Sequence, residues 1–556
     1  MKKIRGKAIL RKSMLIGGLS MLLIIVSGFA GSQDTDYFLK INKGIDTFGR
    51  VYKEITMNYV DQVDPEKFME AGIDGMLGSL DPYTVYIDKQ NGDEVELLTT
   101  GKYGGIGVTI GQRDGAIQVI TVMDGYSAQR AGIRPGDIII DVDGQKVSNK
   151  KPEDVRSLTR GEPGTETHVT VEREGEKAPL QFVLIREEIQ LKNVTYSSLS
   201  PDGIGYIRLE RFSRTAGDEV REAIQDMKLK GEIKGMVLDL RGNPGGLLES
   251  AVDVVSKFVA RGSLIVTTKG RRSETDRQYT SVEEPLLPNT PLVVLTDHNS
   301  ASASEIVTGA LQDLDRALVV GTRTFGKGLV QTIVRLNFDA QLKITTARYY
   351  IPSGRSIQEI DYMHKDGNGV FATVPDSLRR MFKTSHGRKV YEYGGIAPDS
   401  VVKEEDLGPM VRELYRKSMF FKFVNMYMGD HKGEEYAGMT NSILGSFKKF
   451  LDEQKFDYQE EADGKIDEIK HISERAHYGQ DVLADLELLR AAMEKEKARG
   501  FDRYKDHISR ELDIEFMSRI KGEQGRIAAS LKGDPQFDAA VTVLKDTTSY
   551  DRMIRG

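Results

Sequence analysis

The sequence predicts a multidomain α/β protein built around a mostly parallel sheet. Two stretches, residues 236–259 and 292–315, each show a short apolar strand, a turn of small residues and an amphipathic helix. This pattern is typical of right-handed βαβ units, which place functional loops at the carboxyl ends of the strands. A β-rich stretch precedes this core, and charged helical segments lie towards both ends. A chain of 556 residues has room for about two to four domains.

The composition excludes several classes of protein. The net charge is −6, so nucleic-acid binding is not expected. The absence of cysteine excludes disulfides, thiolate metal sites, a cysteine nucleophile and a lipidated N-terminal cysteine. The eight histidines show no metal-ligand spacing. We therefore expect neither a metal nor a cofactor.

Residues 1–30 carry the pattern of an export signal. Six basic residues within the first twelve precede an apolar run from Met14 to Ala30, which ends in small residues at the spacing of a cleavage site. The run is long for a signal peptide and short for a membrane span. A cleaved signal is favoured, with a retained anchor as the alternative. The body is exported in either case, to the periplasm or to the outer face of the inner membrane.

Residues 31–100 are expected to form an N-terminal helical segment. Ile41, Ile45, Phe48 and Val51 fall on one face of a first helix, and a second helix ends near Gly78. This face fits a packing element or a dimerising element.

Residues 101–188 are expected to form a small β-rich domain. The glycine-rich residues 103–108 open its first strand, and residues 131–144 contain a Pro-Gly turn, a strand and an Asp-Gly turn. These features resemble a PDZ domain, in which loop N–H groups bind a terminal carboxylate and the peptide pairs with an edge strand. The carboxylate-binding residues would be Tyr103, Gly104, Gly105, Ile106, Gly107 and Val108. An ordinary hairpin is the alternative for these six residues alone, and residues 153–160 would be the helix that lines the groove.

The candidate nucleophile is Ser302, in a run of small hydroxyl residues between an apolar strand and a helix. The unbonded N–H groups and the dipole at a helix N-terminus stabilise negative charge, including that of an oxyanion. Simple helix capping by serine is the ordinary alternative.

The candidate base is Lys327, which lies between two glycines 25 residues after Ser302. Apolar runs on both sides predict partial burial, and burial beside a positive helix end favours the neutral amine. A neutral amine can accept the Ser302 proton. His298 is an alternative base, although a histidine in this turn is more simply an exposed side chain.

The two motifs, at this spacing, resemble those of the bacterial C-terminal processing peptidases, the tail-specific Ser/Lys proteases. The resemblance covers about residues 36–402 and rests on Asn-Ser-Ala-Ser-Ala-Ser-Glu-Ile and Phe-Gly-Lys-Gly-Leu-Val-Gln. It implies a ClpP/crotonase-like α/β protease core over residues 189–402, with an inserted PDZ domain. It also implies Ser302 as the nucleophile, Lys327 as the general base, Gln331 as the residue that orients the lysine, and Glu305 and Asp313 as supporting acids.

The turn at residues 241–246 is rich in glycine but lacks the Walker and dinucleotide-binding patterns, so we exclude a phosphate cradle. Its similarity to the Leu-Arg-x-Asn-x-Gly-Gly turn of the family implies that the N–H groups of Gly246 and Ala303 form an oxyanion hole. One such donor can lower the barrier by about 3 kcal/mol.

The resemblance implies a serine endopeptidase that cleaves at or near the C-termini of exported proteins with help from its PDZ domain. The expected partners are substrate tails, an adaptor protein and a second copy of the chain paired through the N-terminal helices. The alternative is a non-catalytic periplasmic adaptor that uses the PDZ domain on a degenerate protease core. Residues 403–556 are expected to be a mostly helical extension, for which packing, oligomerisation and substrate gating all remain open.

Overall fold

The computed structural model describes residues 36–88, 92–337, 339–365, 371–431 and 433–556. The predicted signal or anchor lies outside the described residues. The chain divides into two compact units, Met1–Tyr86 and Ile87–Gly556.

The described part of the first unit is helical, as expected. Helix α1 covers residues 36–58, and α2 (Pro65–Leu77) begins at Asp64, whose carboxylate accepts two backbone N–H groups, and ends at Gly78. Tyr52 of α1 stacks on Phe68 of α2, with 5.8 Å between the ring centroids. A short strand, β1 (Val85–Ile87), follows where the sequence predicted helix.

The β-rich domain is an antiparallel sheet in the order β3-β4-β5-β7-β8, with β6 paired to β5. Its strands are β2 (Lys102–Gly105), β3 (Val108–Arg113), β4 (Ala116–Val122), β5 (Ile138–Val142), β6 (Gln145–Lys146), β7 (Glu166–Glu172), β8 (Leu180–Ile185) and β9 (Glu187–Gln190). Helix α3 (Gly92–Thr100) precedes them, and α4 (Ser127–Ala131) and α5 (Pro152–Thr159) pack among them. Strand β3 is an edge strand. The single strand predicted to begin at Tyr103 is two strands, because Ile106 and Gly107 separate β3 from β2, which pairs with β9.

The core of the second unit is a six-stranded sheet in the order β10-β11-β12-β15-β16-β23. Its strands are β10 (Val194–Leu199), β11 (Ile204–Leu209), β12 (Gly235–Asp239), β15 (Leu292–Thr296), β16 (Leu318–Gly321) and β23 (Ser400–Val401). All neighbours from β11 to β23 are parallel, and only β10 is antiparallel. The predicted mostly parallel sheet is therefore confirmed.

Each face of this sheet is covered by different helices. Helices α6 (Ala216–Lys230), α7 (Leu248–Ser256) and α8 (Ala303–Asp313) pack on one face, where they share a hydrophobic core with alternate strand residues such as Met236, Leu238 and Val294. The intervening residues, such as Val237 and Val293, point to the other face. Because both faces are buried, the central strands β12, β15 and β16 are apolar along most of their length.

A second sheet, in the order β17-β18-β13-β14, lies beside the core. Its strands are β13 (Leu264–Gly270), β14 (Arg277–Thr280), β17 (Leu329–Arg335) and β18 (Gln341–Tyr350). Two small hairpins follow, made of β19 (Ile360–Lys365) with β20 (Phe371–Thr373) and of β21 (Met381–Lys383) with β22 (Lys389–Tyr391).

The C-terminal extension is helical, as expected. Its helices are α9 (Gly408–Arg416), α10 (Met419–Asp430), α11 (Asn441–Glu453), α12 (Glu461–Arg475), α13 (Gln480–Ala498), α14 (Gly500–Arg503), α15 (Lys505–Ser530), α16 (Pro535–Lys545) and α17 (Thr547–Arg555). Phe420, Phe423 and Phe447 belong to its own aromatic core. Phe421 instead lies between the guanidinium groups of Arg113 from β3 and Arg519 from α15, so the extension also contacts the β-rich domain.

In the parts of the chain that the structure describes, no helix is both long enough and apolar enough to span a bilayer. The same residues contain no cluster of three or more histidine, aspartate or glutamate side chains that could hold a metal ion.

Candidate active site

Three loops meet at the carboxyl edge of the parallel sheet. The turn at residues 241–246 follows β12, the turn that contains Ser302 follows β15, and the loop that contains Lys327 follows β16. These strands are consecutive neighbours in the sheet. The carboxyl ends of neighbouring parallel strands lie at one edge, so the topology brings the three predicted motifs together.

Ser302 occupies the N-cap position of α8 with φ 56° and ψ −113°. A positive φ is rare for a residue other than glycine and persists only where the surroundings impose it. Here the Ser302 N–H donates to Glu305 Oε2 at 2.8 Å, and the preceding Ala301 N–H donates to the Asn243 carbonyl at 3.0 Å. Ser302 is half-buried, at the start of a helix whose residues are all buried.

The glycine turn packs directly against the Ser302 turn. A Cβ atom on Gly245, where φ is 101°, would lie 2.7 Å from Ala301 O, 2.8 Å from Ala303 N and 2.9 Å from Ser302 Cβ. Only glycine allows this approach, because any side chain would collide with the backbone on either side of Ser302.

The N–H groups of Gly246 and Ala303, which are expected to form an oxyanion hole, lie beside this contact. Phe212 N–H donates to Gly245 O, and Leu247 N–H donates to Phe212 O, so the intervening Gly246 N–H points away from Phe212. Ala303 N–H is at the first position of α8, where a helix has no internal acceptor. Within the described residues neither N–H group donates a hydrogen bond.

Asn243, which the sequence analysis left without a role, links the two turns. Its carbonyl accepts Ala301 N–H at 3.0 Å and the Ser304 hydroxyl at 2.8 Å. Its side chain donates to Leu209 O and accepts Gly245 N–H, at 2.8 and 2.9 Å. The side chain is fully buried, so these bonds hold the glycine turn in register with the start of α8.

Glu305 connects Ser302 to the Lys327 loop. Its Oε2 accepts the N–H groups of Ser302 and Lys327, each at 2.8 Å. Its Oε1 accepts the Thr324 hydroxyl at 2.7 Å and the Gly326 N–H at 2.6 Å. Glu305 is fully buried, and burial raises the pKa of its carboxyl to about 7 although the four hydrogen bonds oppose the rise. Glu305, one of the two expected supporting acids, therefore contacts both loops through hydrogen bonds.

Tyr349, on β18, provides a second connection. Its hydroxyl lies 3.1 Å from Ser302 O and 2.5 Å from Lys327 O. The ring is 1% exposed in the core beneath the site. No sequence pattern predicted a role for Tyr349, because it lies in an ordinary strand, 47 residues from Ser302.

The other predicted residues take different positions. Gln331 is the third residue of β17, and its amide donates to Thr345 Oγ1 at 3.2 Å. Asp313 lies at the last position of α8, where its carboxylate binds Arg355 at 2.9 Å and Ser353 N–H at 3.0 Å. Eleven residues of helix, or about 16 Å, separate it from Ser302, so the structure does not bring Asp313 to the site. His298 is exposed and its ring contacts Phe325, with 5.7 Å between centroids.

A second candidate site is a cavity between β3 and α5. It is lined by five of the six predicted residues, Tyr103, Gly105, Ile106, Gly107 and Val108. The sixth, Gly104, faces elsewhere, since its carbonyl accepts Gly161 N–H and an added Cβ would lie 1.9 Å from Gly161 O.

Arginines give this cavity a positive charge. Arg156 and Arg160 come from the end of α5, and Arg211 follows β11 of the parallel sheet. The Arg160 guanidinium lies 4.7 Å from the Tyr103 ring centroid. Burial raises the pKa of the Tyr103 hydroxyl, although Arg160 and Arg211 lower it in part. The cavity therefore combines an open strand edge with cations, which suits a peptide carboxylate.

Comparison with protein families divides the chain in a consistent way. The model of peptidase family S41 matches residues 203–365, and that of the PDZ domain matches residues 118–173. The N-terminal domain of activating protease CtpB matches residues 30–91, and the C-terminal helical domain of a probable PDZ-protease matches residues 410–544.

Curated relatives of the chain are carboxy-terminal processing proteases. The carboxy-terminal-processing protease of Bartonella bacilliformis is 38% identical over 345 residues, which are 62% of this chain and 78% of that protein. Carboxy-terminal processing protease CtpB of Bacillus subtilis is 33% identical over 329 residues, 59% of this chain and 67% of that protein. Among solved structures, the photosystem II D1 C-terminal processing protease is 27% identical with a TM-score of 0.34, over 64% of this chain and 92% of that one.

The relatives are peptidases, which confirms the predicted enzyme class and disfavours the adaptor alternative. The mixed α/β core, the PDZ domain and the C-terminal helical domain confirm the predicted fold class. The chain belongs to peptidase family S41 and is a serine peptidase of the carboxy-terminal processing type.

Proposed function

We propose that this peptidase uses a Ser302–Lys327 dyad to cleave exported proteins at or near their C-termini, with the PDZ domain as the tail receptor. The observation that carries the proposal is the shared carboxylate of Glu305, which binds the N–H groups of both residues. The dyad residues are thereby held together through their backbones.

The chemistry follows from these positions. The neutral Lys327 amine takes the proton of the Ser302 hydroxyl as Oγ attacks the scissile carbonyl carbon. The carbonyl oxygen gains the negative charge, which the N–H groups of Gly246 and Ala303 stabilise without any change of protonation. The lysine ammonium then gives its proton to the leaving nitrogen as the C–N bond breaks. Water hydrolyses the acyl ester by the reverse proton transfers, so the enzyme returns to its starting state.

The PDZ domain supplies a place for the substrate tail. An extended tail can pair with the free edge of β3, and its carboxylate can reach the loop before that strand and the arginines of the cavity. Binding energy from the tail then holds the scissile bond near Ser302 and contributes to the rate by proximity.

The export signal predicted from residues 1–30 supports a location in the periplasm or at the outer face of the inner membrane. This location makes exported proteins the substrate class. A homodimer through the N-terminal helices and an adaptor protein that delivers substrates belong to the same proposal.

Single substitutions test the dyad on an unfolded substrate with an apolar tail. In Ser302→Ala and Lys327→Ala we expect kcat to fall by at least about a thousandfold. His298→Ala removes an exposed ring and is the matched control, with kcat expected to stay at the wild-type value. Circular dichroism and thermal unfolding establish that each variant folds. Unchanged turnover in Lys327→Ala would eliminate the dyad, and a loss in His298→Ala equal to that in Ser302→Ala would favour a Ser–His pair.

A serine-directed covalent probe provides a test without a substrate. Wild-type protein should be labelled at Ser302, and Lys327→Ala should be labelled far more slowly, because the hydroxyl then lacks its base. Peptide mapping identifies the labelled residue. Equal labelling rates in the two proteins would contradict the proposed activation.

A further inference from the structure

Arg241, the first residue of the glycine turn, is bound by side chains of the C-terminal extension. Its guanidinium contacts Asp534 Oδ2 at 2.7 Å and Gln536 Oε1 at 3.0 Å, both at the start of α16. Its other nitrogen atoms bind Asp239, the last residue of β12, at 2.7 to 3.1 Å. One side chain therefore ties the beginning of the turn that ends at Gly246 to a helix near the end of the chain.

The charges show why Asp534 is needed. Asp239 is fully buried and is bound by Arg208 as well as Arg241, and one carboxylate does not neutralise two guanidinium groups. Arg208 has a second acid, Glu210, at 3.6 Å, and the second acid of Arg241 is Asp534. Arg241 and Asp534 are each only 15% exposed, so water compensates little for the loss of this partner.

Asp534 is itself held firmly. Its Oδ1 caps α16 by accepting the N–H groups of Gln536 and Phe537 at 2.9 and 3.1 Å, which leaves Oδ2 for Arg241. Helix α16 packs on the second face of the parallel sheet through Ala540 and Leu544. The position of Asp534 is therefore set by the same sheet that carries the catalytic loops.

We propose that Asp534 is a positioning residue for the peptidase reaction, through which the C-terminal domain holds the oxyanion turn by way of Arg241. This inference rests on the proposed role of the Gly246 N–H group. The start of α16 then supports catalysis indirectly, because it fixes the turn beside Ser302 through Arg241. A displacement of about 1 Å in such a turn reduces the rate by up to about a hundredfold.

Asp534→Ser in the full-length protein is the decisive variant. Serine is as good a helix cap as aspartate but lacks the charge that binds Arg241. We expect kcat to fall by about tenfold to a hundredfold with KM changed less than about twofold, because the loss acts on the transition state. The affinity for a peptide aldehyde, which forms a tetrahedral adduct with an active serine, should fall in parallel with kcat.

Asp546→Ala is the matched control. Asp546 caps the next helix, α17, by accepting Ser549 N–H at 3.0 Å, and it has no part in the Arg241 contacts. This variant should lose stability and keep the wild-type kcat. Wild-type kcat in Asp534→Ser, or an equal fall of kcat in Asp546→Ala, would overturn the proposal. Ser302→Ala, measured in parallel, separates the two hypotheses, because wild-type turnover there would contradict the proposed function itself.

Discussion

Ser302 and Lys327 donate their backbone N–H groups to the same oxygen atom, Oε2 of Glu305, at 2.8 Å each. The hydroxyl of Tyr349 lies within hydrogen-bond distance of both carbonyl oxygens of the same two residues. A carboxyl group and a phenol thus bridge two loops that follow different strands. The relative position of the proposed nucleophile and base is determined by buried groups that need not touch the substrate.

Tyr349→Phe should reduce kcat by about tenfold, because removal of the hydroxyl releases one of the two bridges between the dyad loops. The loss of stability should be about 1–2 kcal/mol, as for other buried hydrogen bonds. Steady-state kinetics and urea unfolding measure the two effects. Tyr458→Phe is the control, since the hydroxyl of this buried tyrosine donates to Lys497 O in the C-terminal extension. It should cost similar stability and leave kcat unchanged, and an equal fall of kcat in both variants would contradict the prediction.

Gly245→Ala should abolish turnover, because the new methyl group would lie within 3 Å of Ala301, Ser302 and Ala303 atoms. Gly262→Ala is matched to it, since Gly262 also has a positive φ, 85°, but its Cβ would meet no atom within 4 Å. This control separates backbone strain from collision with the Ser302 turn. The prediction is checked by turnover and by labelling of Ser302 with the covalent probe. Equal activity in the two variants would show that the close approach is unimportant.

The pKa of Glu305 predicts a dependence of stability on pH. Burial raises this pKa from 4.5 to about 7, so folding favours the protonated carboxyl. The contribution to stability is fully present below about pH 4.5 and is lost as the pH rises through 7. A shift of this size corresponds to about 3 kcal/mol.

Glu305→Gln tests this dependence, because the amide does not titrate. Relative to this variant, the wild-type protein should lose about 3 kcal/mol of unfolding free energy between pH 4.5 and pH 8. Urea unfolding at a series of pH values measures the difference. Glu249→Gln, at an exposed position on α7, is the control and should retain the wild-type pH profile. Parallel profiles for wild type and Glu305→Gln would refute the assignment.

Gly107→Ala should raise KM for tailed substrates by about tenfold and leave kcat nearly unchanged, because it disturbs only the loop proposed to bind the tail. Its Cβ would lie 2.5 Å from Tyr126 Cβ. Gly115→Ala in the β3–β4 turn has the same φ, 81°, and open space around it, so it controls for strain. KM is measured for two substrates, one with a free and one with an amidated C-terminus. The comparison shows whether the enzyme binds the tail carboxylate. If KM stayed at the wild-type value in both Gly107→Ala and Gly115→Ala, the result would argue against a role of the PDZ domain in substrate binding.

Much of the architecture was predictable from local patterns. The strand–turn–helix units around residues 236–259 and 292–315 appear as β12 with α7 and β15 with α8. Hydrophobic periodicity and turn residues act over a few positions, so a single sequence suffices to recognise them. The interrupted strand at Ile106 and Gly107 was missed, because the pairing of β2 with β9 depends on residues more than 80 positions away.

Sequence patterns alone identified the residues proposed to carry the chemistry, since Ser302, Lys327 and the glycine turn each lie in a recognisable local motif. How these residues are held became visible in the three-dimensional contacts. Tyr349 is 47 residues from Ser302, and Gln536 is 295 residues from Arg241. Asp313 shows the opposite case, a residue near in sequence that helix geometry places away from the site. This difference arises because a buried hydrogen bond depends on which surfaces pack together, and packing joins parts of the chain that local sequence patterns do not connect.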